Sequence, residues 1–137
     1  KKVPENNIDI MKSSNFRNPI NHNSVIFKKK TIINSGNYKD INYYEDYFLW
    51  LRVIKNGGKF YNLQKVYVNM IIDNNYYLRR SGLSYFLSFI KFQKKAKKMK
   101  LISKHMFYFN IFLRFHIAYL PIKIIKKLYN FFLRIPI

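Results

Sequence analysis

The sequence predicts an α/β chain: a few short strands around one central helix, followed by amphipathic helices. Three observations carry that expectation. Short β-branched runs occur in the first half, an acidic pair opens a helix at Glu45-Asp46, and apolar residues recur at helical spacing from Leu83 onward. The composition narrows the partners and the chemistry. Over 137 residues, 26 Lys plus Arg face 6 Asp plus Glu, and the formal charge of +20 points to an anionic partner. With 13 Phe, 12 Tyr and a hydrophobic share of 49%, the chain is not a disordered basic tail. Cysteine is absent, which excludes disulfides, thiolate zinc sites and cysteine nucleophiles. Residue 1 is Lys and no signal-peptide pattern follows it, so the expectation is a piece of a longer protein.

The elements follow in order. Ser24-Val25-Ile26-Phe27 is rich in β-branched and aromatic residues and predicts a short strand. A turn is expected at Ser35-Gly36-Asn37. Next comes a helix over 43–56, with Asn42 as its cap, Glu45 three residues on, and Asn56-Gly57-Gly58 as its stop. Lys65 to Ile72 alternates loosely and predicts a second strand, and Asp73-Asn74-Asn75 a turn. Leu83, Phe86, Leu87 and Ile90 mark a helix that runs on through the cationic stretch Gln93 to Lys100. Another is expected over about 103–119, and a third from Pro121, which suits a first helical turn, to about Arg134.

Charge divides the chain in two. All six acids precede Asn74, while 14 of the cations follow it among Phe, Tyr, Leu and Ile. Residues 1–95 are expected to form one domain part, and 96–137 a basic amphipathic helical tail. The longest stretches without Lys or Arg there, 105–113 and 115–122, are shorter than the roughly 18 apolar residues of a spanning helix. Helices lying in an anionic membrane surface fit better, with Lys and Arg reaching headgroup phosphates. Nucleic acid is the weaker alternative partner for a non-catalytic basic module, because the cations lie on helices with an apolar opposite face and no recognition motif appears.

Three constellations carry polar chemistry. Tyr44-Glu45-Asp46-Tyr47 sets two carboxylates in a first helical turn, where the helix dipole favours the anionic form. Such a pair acts as a general base or simply stabilises the helix start, and the residues alone favour the second. Arg17-Asn18-Pro19-Ile20-Asn21-His22 is a polar loop suited to orienting a hydroxylated ligand, or an ordinary turn. Arg79-Arg80-Ser81-Gly82 offers guanidinium groups beside a helix start, suited to phosphate, or a solvated basic face. His22, His105 and His116 stand far apart and no Asp-x-Asp occurs, so no metal site is readable.

Taken in sequence, the segments 17–22, 25–29, 35–40 and 44–52 resemble the acceptor-side, C-terminal half of family 2 glycosyltransferases. The likeness runs on through Asn56-Gly57-Gly58, Val66 to Met70 and Arg79 to Leu83, covering residues 14 to about 95. It is strongest toward bacterial members that build capsule, exopolysaccharide or lipopolysaccharide chains. The resemblance implies part of a GT-A fold whose nucleotide-binding half lies outside this chain, and inverting transfer from a nucleotide-sugar to a glycan or lipid-linked acceptor. It implies Asp46 as catalytic base with Glu45 beside it, and Asn21, His22 and Trp50 at the acceptor. Arg79 or Arg80 would assist at the donor diphosphate. It further implies a divalent cation, Mg or Mn, held mainly by residues outside the chain, and a peripheral place on the cytoplasmic face of the bacterial inner membrane. Many members carry an arginine near the end of the segment that here reads Tyr67-Val68-Asn69-Met70, and none stands there. The isolated chain is expected to be inactive.

Overall fold

Every residue from Tyr47 to Val53 is buried, so the helix that contains them has no solvent face and must sit between other elements. A computed structural model, which describes residues 3–69, 71, 80, 82–118, 120, 124 and 127, shows what covers it. The α-helices are α1 (Asn7–Ser13), α2 (Lys29–Asn34), α3 (Glu45–Lys55), α4 (Gly82–Lys98) and α5 (Lys104–Ala118), with a 3-10 turn at His22–Ser24. Helix α3 is the centre. Its Tyr47, Phe48 and Leu51 side pack with Phe89, Phe92 and Ala96 of α4 and Phe107 of α5. Its Leu49, Trp50 and Val53 side pack with Ile10 of α1, Ile20 and Ile32 of α2. Helices α4 and α5 form an antiparallel-type hairpin pair joined by residues 99–103, tied internally by buried Asn110, which donates to Gln93 Oε1 at 3.4 Å and to the Asn15 carbonyl at 2.8 Å.

The expected α/β architecture is wrong for the described residues, which are helical and contain no strand. A strand is defined by backbone bonds exchanged with a neighbour, and β propensity cannot supply the neighbour. The segment expected as a strand at 24–27 enters from the 3-10 turn and continues as unpaired chain, with Val25 extended and Ile26 99% exposed. The second expected strand is likewise irregular over 65–69, with Val66, Tyr67 and Val68 more than half exposed. Met70, Ile72 and the turn at 73–75 lie outside the described residues, as does nearly all of the helix expected from Pro121.

Helix ends account for much of the remaining local structure. Three of them close with the same pair of bonds, in which a left-handed residue lets the chain turn back on the last carbonyls. In α2 the residue is Gly36, with Gly36 N–H to Ile33 and Asn37 N–H to Ile32. In α3 it is Gly57, with Gly57 to Ile54 and Gly58 to Val53, and in α4 it is Lys100, with Lys100 to Lys97 and Leu101 to Ala96. The expected stop at Asn56-Gly57-Gly58 is therefore found. Gly58 admits no side chain, since a Cβ there would lie 2.4 Å from Val53 Cγ1. The start of α3 differs from the expectation. Asn42 does not cap it: Tyr43 takes a positive φ, Tyr44 occupies the cap position without a side-chain bond, and its ring stacks on Phe92 at 5.0 Å. Packing of that ring, not a capping oxygen, sets where the helix begins.

Candidate acceptor site at the start of helix α3

Asp46 is the second residue of α3, half-buried, with each carboxylate oxygen engaged. Oδ1 accepts the Tyr47 backbone N–H at 2.7 Å, and Oδ2 accepts the Asn18 side-chain N–H at 2.7 Å. Each oxygen keeps a second lone-pair direction for another donor. Asn18 is itself fixed, because its carbonyl oxygen accepts the Ile20 N–H at 3.2 Å across Pro19. This local turn is a habit of asparagine before proline. Next to it, the Tyr47 hydroxyl donates to the Ser14 carbonyl at 2.6 Å and locks α3 to the end of α1. Burial pushes the Tyr47 phenol well above the usual tyrosine range, so it stays a neutral donor.

One turn along α3, Trp50 lies on the same side as Asp46 and forms the floor beneath an aromatic wall. Its ring meets His22 at 6.3 Å, Phe27 at 6.2 Å and Phe60 at 6.0 Å, and His22 meets Tyr38 edge-on at 5.8 Å. The Trp50 Nε1 is buried without a hydrogen-bond partner. Burial, and secondly the negative charge of Asp46, raise the Tyr38 pKa, which puts that phenol within electrostatic reach of the carboxylate. Asp46 and Asn18 thus stand near exposed Tyr38 and His22, with Trp50 buried beneath His22 as their support.

The wall is braced from behind by Arg52. Although buried, its guanidinium faces no carboxylate: it donates to the carbonyls of Phe48 (3.2 Å), Ser35 (2.6 Å) and Asn37 (2.6 Å) and lies 4.8 Å over the Phe48 ring. Desolvation lowers its pKa from the ordinary arginine value. These bonds hold the Gly36-Asn37 turn that delivers Tyr38 to the site.

The expected site residues fare unequally. Asp46, His22 and Trp50 come together. Glu45 is half-buried at the first position of α3, and Asn21 is exposed just before the 3-10 turn without capping it through its side chain. Arg80 is exposed, and Arg79 lies outside the described residues. Among the described residues no three His, Asp or Glu side chains come together to hold a metal ion, so they do not by themselves form a divalent-ion site. Asn18 lay within the polar loop read as a ligand candidate, but its partner Asp46 could not be read; Tyr38 and Arg52 were missed as parts of the site and carried no local signal.

The chain's relatives are glycosyltransferases. It is 40% identical over 121 residues, 88% of its length, to the UDP-Gal:alpha-D-GlcNAc-diphosphoundecaprenol beta-1,3-galactosyltransferase of Escherichia coli, of which it covers 44%. It is 32% identical over 132 residues, 96% of its length, to an uncharacterized glycosyltransferase of Haemophilus influenzae, covering 49% of it. The amylovoran biosynthesis glycosyltransferase AmsE of Erwinia amylovora is 31% identical over 134 residues, 95% of this chain and 49% of that protein. The chain therefore spans about half the length of the curated relatives it matches. No protein-family model matches it, and no solved structure does.

Proposed function

We propose that the protein is an inverting glycosyltransferase of the family 2 type, in which this chain supplies the acceptor-side chemistry and Asp46 is the catalytic base. The observation that carries the proposal is the Asp46 carboxylate, held by Asn18 and the Tyr47 N–H within electrostatic reach of Tyr38, whose ring meets His22. An acceptor hydroxyl is a poor nucleophile at neutral pH, and a carboxylate within hydrogen-bond reach removes its proton as the new bond forms. The acceptor oxygen bonds to the anomeric carbon, the bond to the nucleotide diphosphate breaks, and its electron pair leaves with the diphosphate. The proton ends on Asp46. A single in-line displacement of this kind inverts the anomeric centre, through a transition state with oxocarbenium character.

The relatives' names suggest the setting. One acts on a diphosphoundecaprenol-linked sugar and another serves amylovoran biosynthesis. By analogy the acceptor is a lipid-linked sugar in cell-surface polysaccharide assembly, with a nucleotide-sugar as donor, at the cytoplasmic face of the inner membrane. His22 and Tyr38 are exposed rings of the kind on which sugar C–H surfaces pack, and buried Trp50 supports His22 from beneath.

The test is transfer by the full-length protein from UDP-galactose to a synthetic GlcNAc-diphosphate lipid, the pair in the galactosyltransferase relative's name. Asp46→Asn keeps the shape and the Asn18 contact region but cannot take the proton. The expected loss in kcat is about a hundredfold to ten-thousandfold, with a lowered melting temperature, since the amide accepts only one of the two N–H bonds, but a chain still folded at the assay temperature. Transfer by that variant within tenfold of wild type would remove Asp46 from the role.

A further inference from the structure

Helix α5 has two apolar faces, and among the described residues only one of them packs against the core. Its inner side, Met106, Phe107, Asn110, Ile111 and Arg114, turns toward α4 and α3, with the Arg114 guanidinium 4.7 Å over the Tyr85 ring. Its outer side is His105, Tyr108, Phe109, Phe112, Leu113 and His116, spaced as one continuous helical stripe and exposed throughout. Tyr108, Phe109, Phe112 and Leu113 are 56%, 50%, 66% and 48% exposed. Scattered exposed apolar residues are ordinary on a protein surface, but a contiguous row rich in aromatics, about 16 Å long from His105 to His116 at 1.5 Å rise per residue, is not. Phe16, also exposed, meets Phe109 edge-on at 6.1 Å and widens the row across to the end of α1.

The charge beside this stripe points to what covers it. Lys94, Lys98, Lys100 and Lys104 are exposed around the α4–α5 connection, and Lys97 reaches from α4 to lie 4.1 Å over Phe107 and 5.6 Å from the Tyr108 ring. With Ser103 and Asn15, three of these lysines line an open depression of about 550 Å³ at the N-terminal end of α5. No acid occurs anywhere from residue 74 onward to neutralise them. An apolar aromatic row with a lysine cluster at its edge is complementary to a surface that is anionic outside and apolar just beneath. A second copy of this chain would instead set like charges together.

We infer that the outer face of α5 docks in the plane of an anionic bilayer. Phe109, Phe112, Leu113 and Phe16 enter the boundary of the acyl chains while Lys97, Lys100 and Lys104 meet headgroup phosphates. No helix among the described residues is long and apolar enough to cross a membrane, and an in-plane helix needs only one lipid-facing side. The inference goes beyond the transfer chemistry and stands without it: it assigns lipid contact to a face remote in sequence from Asp46, by observations in which Asp46 has no part.

The test is flotation of the full-length protein with vesicles of phosphatidylcholine containing one-third phosphatidylglycerol, at low and high salt, for wild type and for Phe109→Ser/Phe112→Ser/Leu113→Ser. Those side chains are exposed, so the variant's thermal melt should match wild type, and a Lys100→Gln/Lys104→Gln variant supplies a second surface change without touching the core. Wild type should float with anionic vesicles and keep part of that binding at high salt, where electrostatics alone is screened. The serine variant should bind at least tenfold more weakly and lose all binding at high salt, while the glutamine variant should lose mainly the low-salt component. Three results would each overturn the inference. One is flotation of the serine variant at the wild-type level. Another is a wild-type dimer in sedimentation equilibrium that the serine changes dissociate, without vesicle binding by either protein. The last is retention of single-stranded DNA on filters by a wild type that does not float.

Discussion

Asn18 gives the sharpest way to ask whether the geometry around Asp46 is functional, because its two side-chain ends do different work. The Nδ2–H donates to Asp46 at 2.7 Å, and the Oδ1 accepts the Ile20 N–H at 3.2 Å. Asn18→Asp keeps the acceptor that shapes the loop but removes the donor and sets a second carboxylate against the first. Asn18→Ala removes both. A short hydrogen bond to a charged group contributes about 1.5–3 kcal/mol, which corresponds to roughly tenfold to more than a hundredfold in rate if it holds the base in place. If Asn18 positions Asp46, the aspartate variant should therefore be the worse of the two, at least tenfold below wild type in kcat with KM within about threefold. Thermal stability should rank them the other way, since alanine also loses the loop turn. Transfer from nucleotide-sugar to lipid-linked acceptor by the full-length protein, beside a thermal melt of each variant, reads both quantities. An aspartate variant near wild-type kcat, with alanine impaired, would show that Asn18 serves the loop alone.

Two further predictions rest on the same neighbourhood. Arg52→Met strands the buried carbonyl of Ser35 and the part-buried one of Asn37 and should cost about 2–4 kcal/mol of stability in urea titration; Arg52→Lys, which reaches fewer of them, should recover only part. Tyr38 titrates above the ordinary tyrosine range because of burial and, secondly, the Asp46 charge, so Asp46→Asn should lower its midpoint part of the way back in an alkaline ultraviolet titration, burial holding the remainder.

How much of this was legible in the sequence depended on whether the determining contact was local. Helices α4 and α5 follow from apolar spacing that each helix carries within itself, and α3 from its acidic start and its double-glycine stop. Helices α1 and α2 left almost no trace, since each is about two turns long and commits a single residue, Ile10 or Ile32, to full burial. The β-branched run at 24–27 was misread because its propensity describes a side chain's fit to a pleated surface, and the described residues provide no such surface. Asn42 was misread as the cap because the stacking of Tyr44 on Phe92 joins residues 48 positions apart. The site divides in the same way. Asp46 and Trp50 are one helical turn apart and could be read together, whereas the Asn18 to Asp46 bond spans 28 positions and the Arg52 to Ser35 bond spans 17.

Arg52 and Asn18 grip the two sides of the site independently. One fastens the strap that ends in Tyr38, and the other fastens Asp46; the two sets of bonds share no atom. Changes to the strap beyond Asn37, in Tyr38 or Lys39, therefore leave the bonds that hold the carboxylate in place. With Asp46 as the proposed base, this separation would let acceptor choice drift over evolutionary time while the chemistry stays fixed, and it marks where an engineer seeking a new linkage should cut.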